Sequence, residues 1–242
     1  ERIADPAGFP IEPGSPLAED DAKAHPFEVG QAVRPLITTT VDHLDVVKTT
    51  LVDVRRQNLF ATATLTRSAL ECTAAGLWML GPQQPTVRLE RTLRWYAQDY
   101  HDRRRFVGDD VLDLDPPRRD RYDQDKAAVV AVAERLGITL PPRGGLQMTE
   151  ILKEAGELTG IESLAPWRLA SGFAHGRPWA WLGFSESRPL SEEGVERPVY
   201  QWRADSDFMA RYPVLALRLL AELVFLRDVR AGVAERQDGR LF

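Results

Sequence analysis

Three polar side chains that could act together in proton transfer lie within eight residues of one another. Arg168, Ser171 and His175 occur in the segment WRLASGFAHG, which contains no other ionisable side chain. Arg168 and His175 are seven residues apart and Ser171 and His175 are four apart, so a helix would place all three on one side. An arginine beside a histidine can neutralise a phosphate while the imidazole moves a proton. The spacing therefore predicts an acid–base site with these three as candidate catalytic residues.

The same residues admit three other interpretations. A metal site needs further ligands, but His25, His43 and His101 are scattered along the chain, and no Glu-x-x-His motif occurs at any histidine. A hydrolase built on Ser171 and His175 would lack both a strand-turn-helix elbow and an orienting carboxylate. A histidine bonded into the core beside nearby tryptophans is a full alternative. We expect no metal and no cofactor.

A second polar pair lies in an otherwise apolar segment. Between Arg56 and Arg88 the only charged residues are Arg67 and Glu71, which are four residues apart and so project from one face of a helix. A charge on a buried helix is costly unless it is paired and hydrogen-bonded. The pair is therefore either a structural ion pair that fixes the helix register or a ligand-binding pair that lines a cavity.

Long stretches of helical periodicity surround these residues and must position them. Seven segments show it, at about 30–56, 58–80, 86–107, 118–136, 149–158, 163–175 and 206–234. Alternating residues at about 179–203 predict a β-hairpin that packs on the bundle as a flap. Five prolines in residues 1–28 predict an extended N-terminal arm with at most a helical turn near 17–24. The sequence thus predicts an all-α bundle of about seven helices over residues 29–242.

The glycine and proline that follow the predicted helix at about 163–175 indicate where this helix ends. Gly176 is followed by Arg177 and Pro178, so the helix should stop at Gly176 with His175 in its last turn. The negative end of the helix dipole favours a positively charged group at that position. His175 is therefore the residue of the site that we expect to carry the proton.

Composition limits the classes of function. The 242 residues include 31 Lys and Arg against 36 Asp and Glu, a net charge of −5, so no overall basic field recruits nucleic acid or an anionic membrane. The one cysteine, Cys72, cannot form an internal disulfide, which favours a reducing compartment. No segment has the pattern of a signal peptide or of a bilayer span. We expect a soluble cytoplasmic protein with no membrane partner.

One region concentrates arginines on both sides of a predicted turn at Pro116-Pro117. They are Arg103, Arg104, Arg105, Arg118, Arg119 and Arg121. Eight aspartates are interleaved with them between positions 102 and 125. A surface of mixed sign is more typical of a solvated or protein-docking face than of an RNA track.

The two motifs together resemble the HEPN superfamily. The segment from Arg67 to Glu71 reads RSALE, and Ser171, His175 and Gly176 stand in the order S-x-x-x-H-G. This pairing is similar to uncharacterised bacterial branches that combine an R-x-x-x-E helix with a late S-x-x-x-H helix. An arginine that precedes a histidine on a late helix is a further feature of the superfamily. The resemblance extends over about residues 30–234.

The resemblance implies a function as well as a fold. Active members are metal-independent endoribonucleases, usually toxins or defence proteins, whose motifs face one another across a homodimer cleft. In that assignment His175 moves the proton as the ribose 2′-hydroxyl attacks its neighbouring phosphate. Arg168 stabilises the phosphorane charge, and Ser171 bonds the phosphate or orients the histidine. The implied partners are RNA or a nucleotide, an antitoxin and a second copy of the chain.

A non-enzymatic interpretation stays open beside this one. A degenerate relative would use Arg67 and Glu71 to bind a small anionic ligand such as a nucleotide. It could also use the mixed-charge region to bind a partner protein. In both interpretations we expect one solvent-reachable polar site where two central helices meet, built from Arg67, Glu71, Arg168, Ser171 and His175.

Overall fold

The computed structural model describes residues 3, 5, 7–108, 111, 113–190 and 199–235. These residues form nine α-helices: α1 (Pro16–Ala24), α2 (Val29–Lys48), α3 (Leu59–Leu80), α4 (Pro85–Val107), α5 (Pro116–Arg135), α6 (Met148–Thr159), α7 (Leu164–Ala174), α8 (Pro178–Gly183) and α9 (Ser206–Arg230). A two-stranded antiparallel sheet lies between α8 and α9. The predicted all-α bundle with a β-hairpin flap is confirmed. None of the described helices is both long and apolar enough to span a lipid bilayer.

The central helix is α3, which packs against α2, α6, α7 and α9. Thirteen of its 22 residues are buried, including Leu70, Leu77 and Leu80. Its polar side chains there are small, and Thr73 satisfies its hydroxyl by donating to the Ala69 carbonyl oxygen at 2.8 Å. A helix that is apolar on nearly all sides has to be surrounded by others. The central position predicted for this segment follows from that composition.

The hairpin is shorter than predicted. β1 (Ser185–Pro189) pairs with β2 (Tyr200–Ala204), and Ser187 lies opposite Trp202. The start predicted at residue 179 is wrong, because residues 178–183 form the short helix α8. Pro178 suits the first turn of a helix, and Ala180 is buried as a helical residue. Residues 191–198 of the predicted hairpin lie outside the described residues.

The second helix is also shorter than predicted. Regular α-helix ends at Lys48, and residues Thr49–Asp53 form a single π-helical turn. The chain then turns at Arg55, which has a φ of 55°. The helix expected over 30–56 therefore ends at Asp53, and its last turn is π-helical rather than α-helical.

The N-terminal segment contains more helix than the single turn expected. Ser15 caps α1 by accepting a hydrogen bond from the Ala18 N–H at 3.2 Å, and Pro16 occupies its first turn. Leu17 and Ala24 are fully buried in the same apolar core as α3. Residues 16–24 of the expected arm are therefore part of the packed bundle.

Candidate functional site

The end of α7 carries the predicted catalytic histidine. His175 is the C-cap residue directly after Ala174, the last residue of the helix, and Gly176 follows it with a φ of 62°. The N–H groups of Gly176 and Arg177 donate to the carbonyl oxygens of Phe173 and Gly172 at 2.9 and 2.8 Å. This pattern is a Schellman motif, which ends a helix and needs a residue that tolerates positive φ. The predicted helix end at Gly176 is confirmed.

The three candidate catalytic residues lie on the accessible side of α7. Arg168 and His175 are exposed and Ser171 is half-buried. Seven residues of helix place the first two about 10 Å apart along the axis and almost in line. Within the described part of the chain, no hydrogen bond or ion pair involves the side chain of any of the three. The alternative of a core histidine is therefore wrong, because the His175 ring faces solvent.

The second predicted pair forms an ion pair on α3, and its carboxylate also contacts α7. Arg67 Nη2 lies 2.8 Å from Glu71 Oε1, and the same oxygen accepts the indole N–H of Trp167 at 2.7 Å. The Arg67 guanidinium carbon also lies 5.8 Å from the centroid of the Trp167 ring. The two ionised side chains keep 28% and 22% of their exposure, so water still reaches them. This contact anchors the helix that carries Arg168, Ser171 and His175.

A ligand role for Arg67 and Glu71 stays a prediction. Arg67 Nε is buried and has no hydrogen-bond partner among the described residues. Among the residues that the structure describes, no hydrogen bond or ion pair connects the pair with Arg168, Ser171 or His175. Cavities of about 450, 380 and 370 Å³ are lined by other residues. The structure therefore presents two polar sites on neighbouring helices, an anchored pair and an open helix face.

One glycine beside the site has a packing function that the sequence did not reveal. A Cβ on Gly172 would lie 2.6 Å from Trp179 Cζ2 and 2.7 Å from the Cβ of Ala180. The missing side chain therefore lets α8 pack directly on α7. Residues 179–184, in α8 and directly after it, also include three exposed large apolar side chains, namely Trp179, Leu182 and Phe184.

A buried polar centre lies elsewhere and was not found from the sequence. Asp20 on α1 and Arg88 on α4 form an ion pair with 2.6 Å between Oδ2 and Nε, and their side chains are 1% and 2% exposed. Arg88 also donates to the carbonyl oxygens of Pro82 and Gln83. Burial raises the pKa of Asp20, and the guanidinium of Arg88 opposes that rise. The pair is separated by 68 residues, so no helical spacing could have revealed it.

Three of the six arginines in the mixed-charge region around α4 and α5 form ion pairs with aspartates of the same region. Arg103 lies 3.4 Å from Asp125, and Arg104 lies 3.0 Å from Asp123. Arg119 forms a further ion pair with Asp113. Arginines paired in this way are less available to RNA phosphates.

Cys72 and the histidines provide no further reactive centre. Burial and the neighbouring Glu71 carboxylate raise the pKa of the Cys72 thiol to about 11, so it stays protonated near neutral pH. In the part of the chain that is described, no group of three or more His, Cys, Asp and Glu side chains could hold a metal ion.

No family model, curated protein or solved structure matches this chain. The site itself therefore carries the functional evidence: Arg168 and His175 are exposed and Ser171 is half-buried on α7, which is held by the contact of Trp167 with α3.

Proposed function

We propose that the chain is a HEPN-like, metal-independent endoribonuclease of the toxin or defence type that acts in the cytoplasm. One observation supports this proposal above the others: Arg168 and His175 are both exposed on the same side of α7, without structural partners in the described residues. An exposed cation and imidazole with no packing role are available for a substrate. Their alignment suits a phosphodiester that lies along the helix.

The reaction we propose is transesterification at a ribose. The 2′-oxygen attacks the adjacent phosphorus while His175 accepts the 2′-hydroxyl proton, and the bond from phosphorus to the 5′-oxygen breaks. The leaving 5′-oxygen takes a proton from an imidazolium supplied by a second copy of the chain. The products are a 2′,3′-cyclic phosphate end and a 5′-hydroxyl end. Atoms and charge balance without a metal or another reactant.

Arg168 and Ser171 act on the phosphate in this proposal. Negative charge increases on the non-bridging oxygens as the phosphorane forms, and a guanidinium can stabilise two of these oxygens at once. Ser171 lies between Arg168 and His175 on the same side of α7, where its hydroxyl can donate to the same phosphate. In this proposal His175 transfers the proton, and Arg168 and Ser171 stabilise the charge on the phosphate.

The open geometry of α7 favours a dimeric site. A single exposed helix face does not enclose a substrate, whereas two such faces opposed in a homodimer would form a cleft. The exposed apolar side chains of α8 begin four residues after His175 and could form part of that contact. Light scattering should then show a dimer, and a strictly monomeric protein would rule out the shared cleft.

The experiment that tests the activity uses fluorescently labelled RNA with a chelator present. We expect cleavage in EDTA, cyclic phosphate ends by mass spectrometry, and no cleavage of a substrate with 2′-deoxyribose at the cut position. Arg168→Ala should lower the rate by about 10²–10³-fold, as expected for loss of a charge-stabilising donor. Arg218→Ala on α9 is the matched control, because Arg218 is also an exposed arginine. Equal rates for both variants would contradict the proposal.

A non-catalytic function is the second candidate, and the exposed apolar side chains in α8 and directly after it favour this function. Trp179, Leu182 and Phe184 are 56%, 52% and 47% exposed and lie within six residues of one another, and exposed apolar side chains that cluster are typical of a protein-docking surface. In this case the chain is a module that binds a partner protein, such as an antitoxin, without cleaving RNA. Stable complex formation that Leu182→Ser abolishes, together with intact RNA after long incubation, would support this function over the ribonuclease.

A further inference from the structure

A cavity between α4 and α5 has the volume and the lining of a small-molecule site. Arg168, Ser171 and His175, in contrast, lie on an open helix face. Its volume is about 450 Å³, which is within the range typical of ligand pockets. α4 contributes Ala97, Tyr100 and His101 to its wall, and α5 contributes Tyr122 and Lys126. The two helices pack against each other here beside a small apolar core.

The inner wall of the cavity is apolar and firmly held. Val129 and Tyr122 are 1% and 5% exposed, and Leu140 closes the wall from the loop after α5. Arg103 lies over the Tyr122 ring at 4.3 Å from its centroid, which holds the ring in place. A rigid wall of aromatic and aliphatic carbon favours a flat apolar ligand.

The rim of the cavity is cationic although the chain as a whole is acidic. Asp123 is the one acidic residue in the lining, and it is paired with Arg104 at 3.0 Å. Lys126 is exposed and His101 half-buried, and neither forms an ion pair with any described residue. Lys126 is thus the one formally charged lining residue whose charge is not offset by an ion pair with a described residue, in a chain whose net charge is −5. Such a rim attracts an anionic group and disfavours a cationic one.

We propose that this cavity binds a small aromatic anion, with its ring against Tyr122, Val129 and Leu140 and its phosphate or carboxylate at Lys126 and His101. The proposal does not depend on the ribonuclease, because it uses residues of α4 and α5. A single anionic group would receive donors from both helices and would hold α4 and α5 together. Binding should therefore also raise the thermal stability of the protein.

Calorimetric titration of the full chain with 1-naphthyl phosphate and 1-naphthoate tests the proposal. The neutral 1-naphthol and inorganic phosphate separate the contribution of the ring from that of the charge. We expect at least one of the two aromatic anions to bind about tenfold or more tightly than either control compound. The better anion identifies whether the site takes a phosphate or a carboxylate.

Substitutions decide whether binding occurs in this cavity. Lys126→Gln and His101→Gln should each weaken binding of the better anion about tenfold, whereas Lys153→Gln on α6 should not change it. Lys153 is a matched control because it is an exposed lysine outside the cavity. Thermal melts check that each variant is folded. Absence of binding, or binding that neither cavity substitution weakens, would overturn the proposal.

Discussion

Trp167 on α7 donates its indole N–H to the carboxylate of Glu71 on α3 across 2.7 Å, and the two residues are 96 positions apart in the sequence. The same carboxylate oxygen accepts from Arg67 at 2.8 Å. Because Trp167 precedes Arg168 and lies one turn before Ser171, this contact sets the position of the whole candidate site. Glu71 and Trp167 thus connect the two helices that carry the candidate site residues, and this connection is structural.

The Trp167 hydrogen bond should contribute measurably to stability. Trp167→Phe keeps an aromatic ring but removes the donor, and we expect a loss of about 1.5 kcal/mol in the free energy of unfolding, the lower end for bonds to charged groups because Glu71 is partly hydrated. Urea denaturation measures it. Trp95→Phe is the control, since Trp95 is half-buried and its indole makes no hydrogen bond within the described residues. A loss for Trp167→Phe no larger than for this control would contradict the assignment.

The buried ion pair between Asp20 and Arg88 should be the most sensitive polar contact of the fold. Arg88→Met leaves the Asp20 carboxylate buried without its partner, and we expect a loss of about 3–5 kcal/mol. Combining it with Asp20→Leu removes the stranded charge and should recover part of that loss. Thermal denaturation of the single and double variants measures the difference. A double variant that is less stable than Arg88→Met alone would show that the unpaired Asp20 carboxylate does not cause the loss of stability.

Asp21 should give the stability a specific dependence on pH. Burial raises the pKa of Asp21 above its ordinary value of 3.8; the Gly30 N–H opposes this rise, and the Glu28 carboxylate adds to it. The native state therefore binds this proton more tightly than the unfolded state does. Its contribution to stability falls as the pH rises from 3.8 through the raised pKa, and the loss is complete above it.

Asp21→Asn tests this sign because its amide oxygen can still accept from Gly30, as the carboxylate does at 2.9 Å. The free energy of unfolding of the variant minus that of the wild type should be most positive near neutral pH and should decrease toward about pH 4. Urea denaturation at both ends of this range measures it. A difference that grows as the pH falls would mean that the pKa is lowered instead.

Gly172 should be required for the docking of α8. Gly172→Ala forces a Cβ against the Cβ of Ala180, and we expect a loss of about 1–3 kcal/mol, as for overpacking in a core. Tryptophan fluorescence should change as well, because Trp179 also contacts this position. Gly183→Ala is the matched control: a Cβ there meets no atom within 4 Å. Equal stability of the two variants would argue against close packing of α7 on α8.

Helical periodicity was sufficient to predict the bundle, but not its breaks or its long-range contacts. The segment that became α3 is apolar on nearly every side, and its central position follows from that alone. Apolar and polar residues alternate around Trp179 and Trp181, which predicts a strand. Pro178 and the close approach of Gly172 on α7 favour a helix there instead. In a short apolar segment, periods of two and of 3.6 residues are hard to distinguish.

The candidate site was predictable only to the extent that it lies on one helix. The spacing of Arg168, Ser171 and His175 correctly placed them on one side of α7, and Gly176 marked its end. Exposure could not be predicted, because three tryptophans near His175 also fit a buried position. The partners of Glu71 and Arg88 come from helices distant in sequence, and a single sequence contains no signal for such pairs.

The most direct test of the proposed ribonuclease is the rate of RNA cleavage by His175→Ala in the presence of EDTA. We expect the rate to fall by about 10²–10⁴-fold, the contribution typical of a general acid or base. The melting temperature should stay unchanged, since the ring is exposed, and His25→Ala, which removes another exposed histidine, should cleave like the wild type. Cleavage by His175→Ala at the wild-type rate would contradict the account.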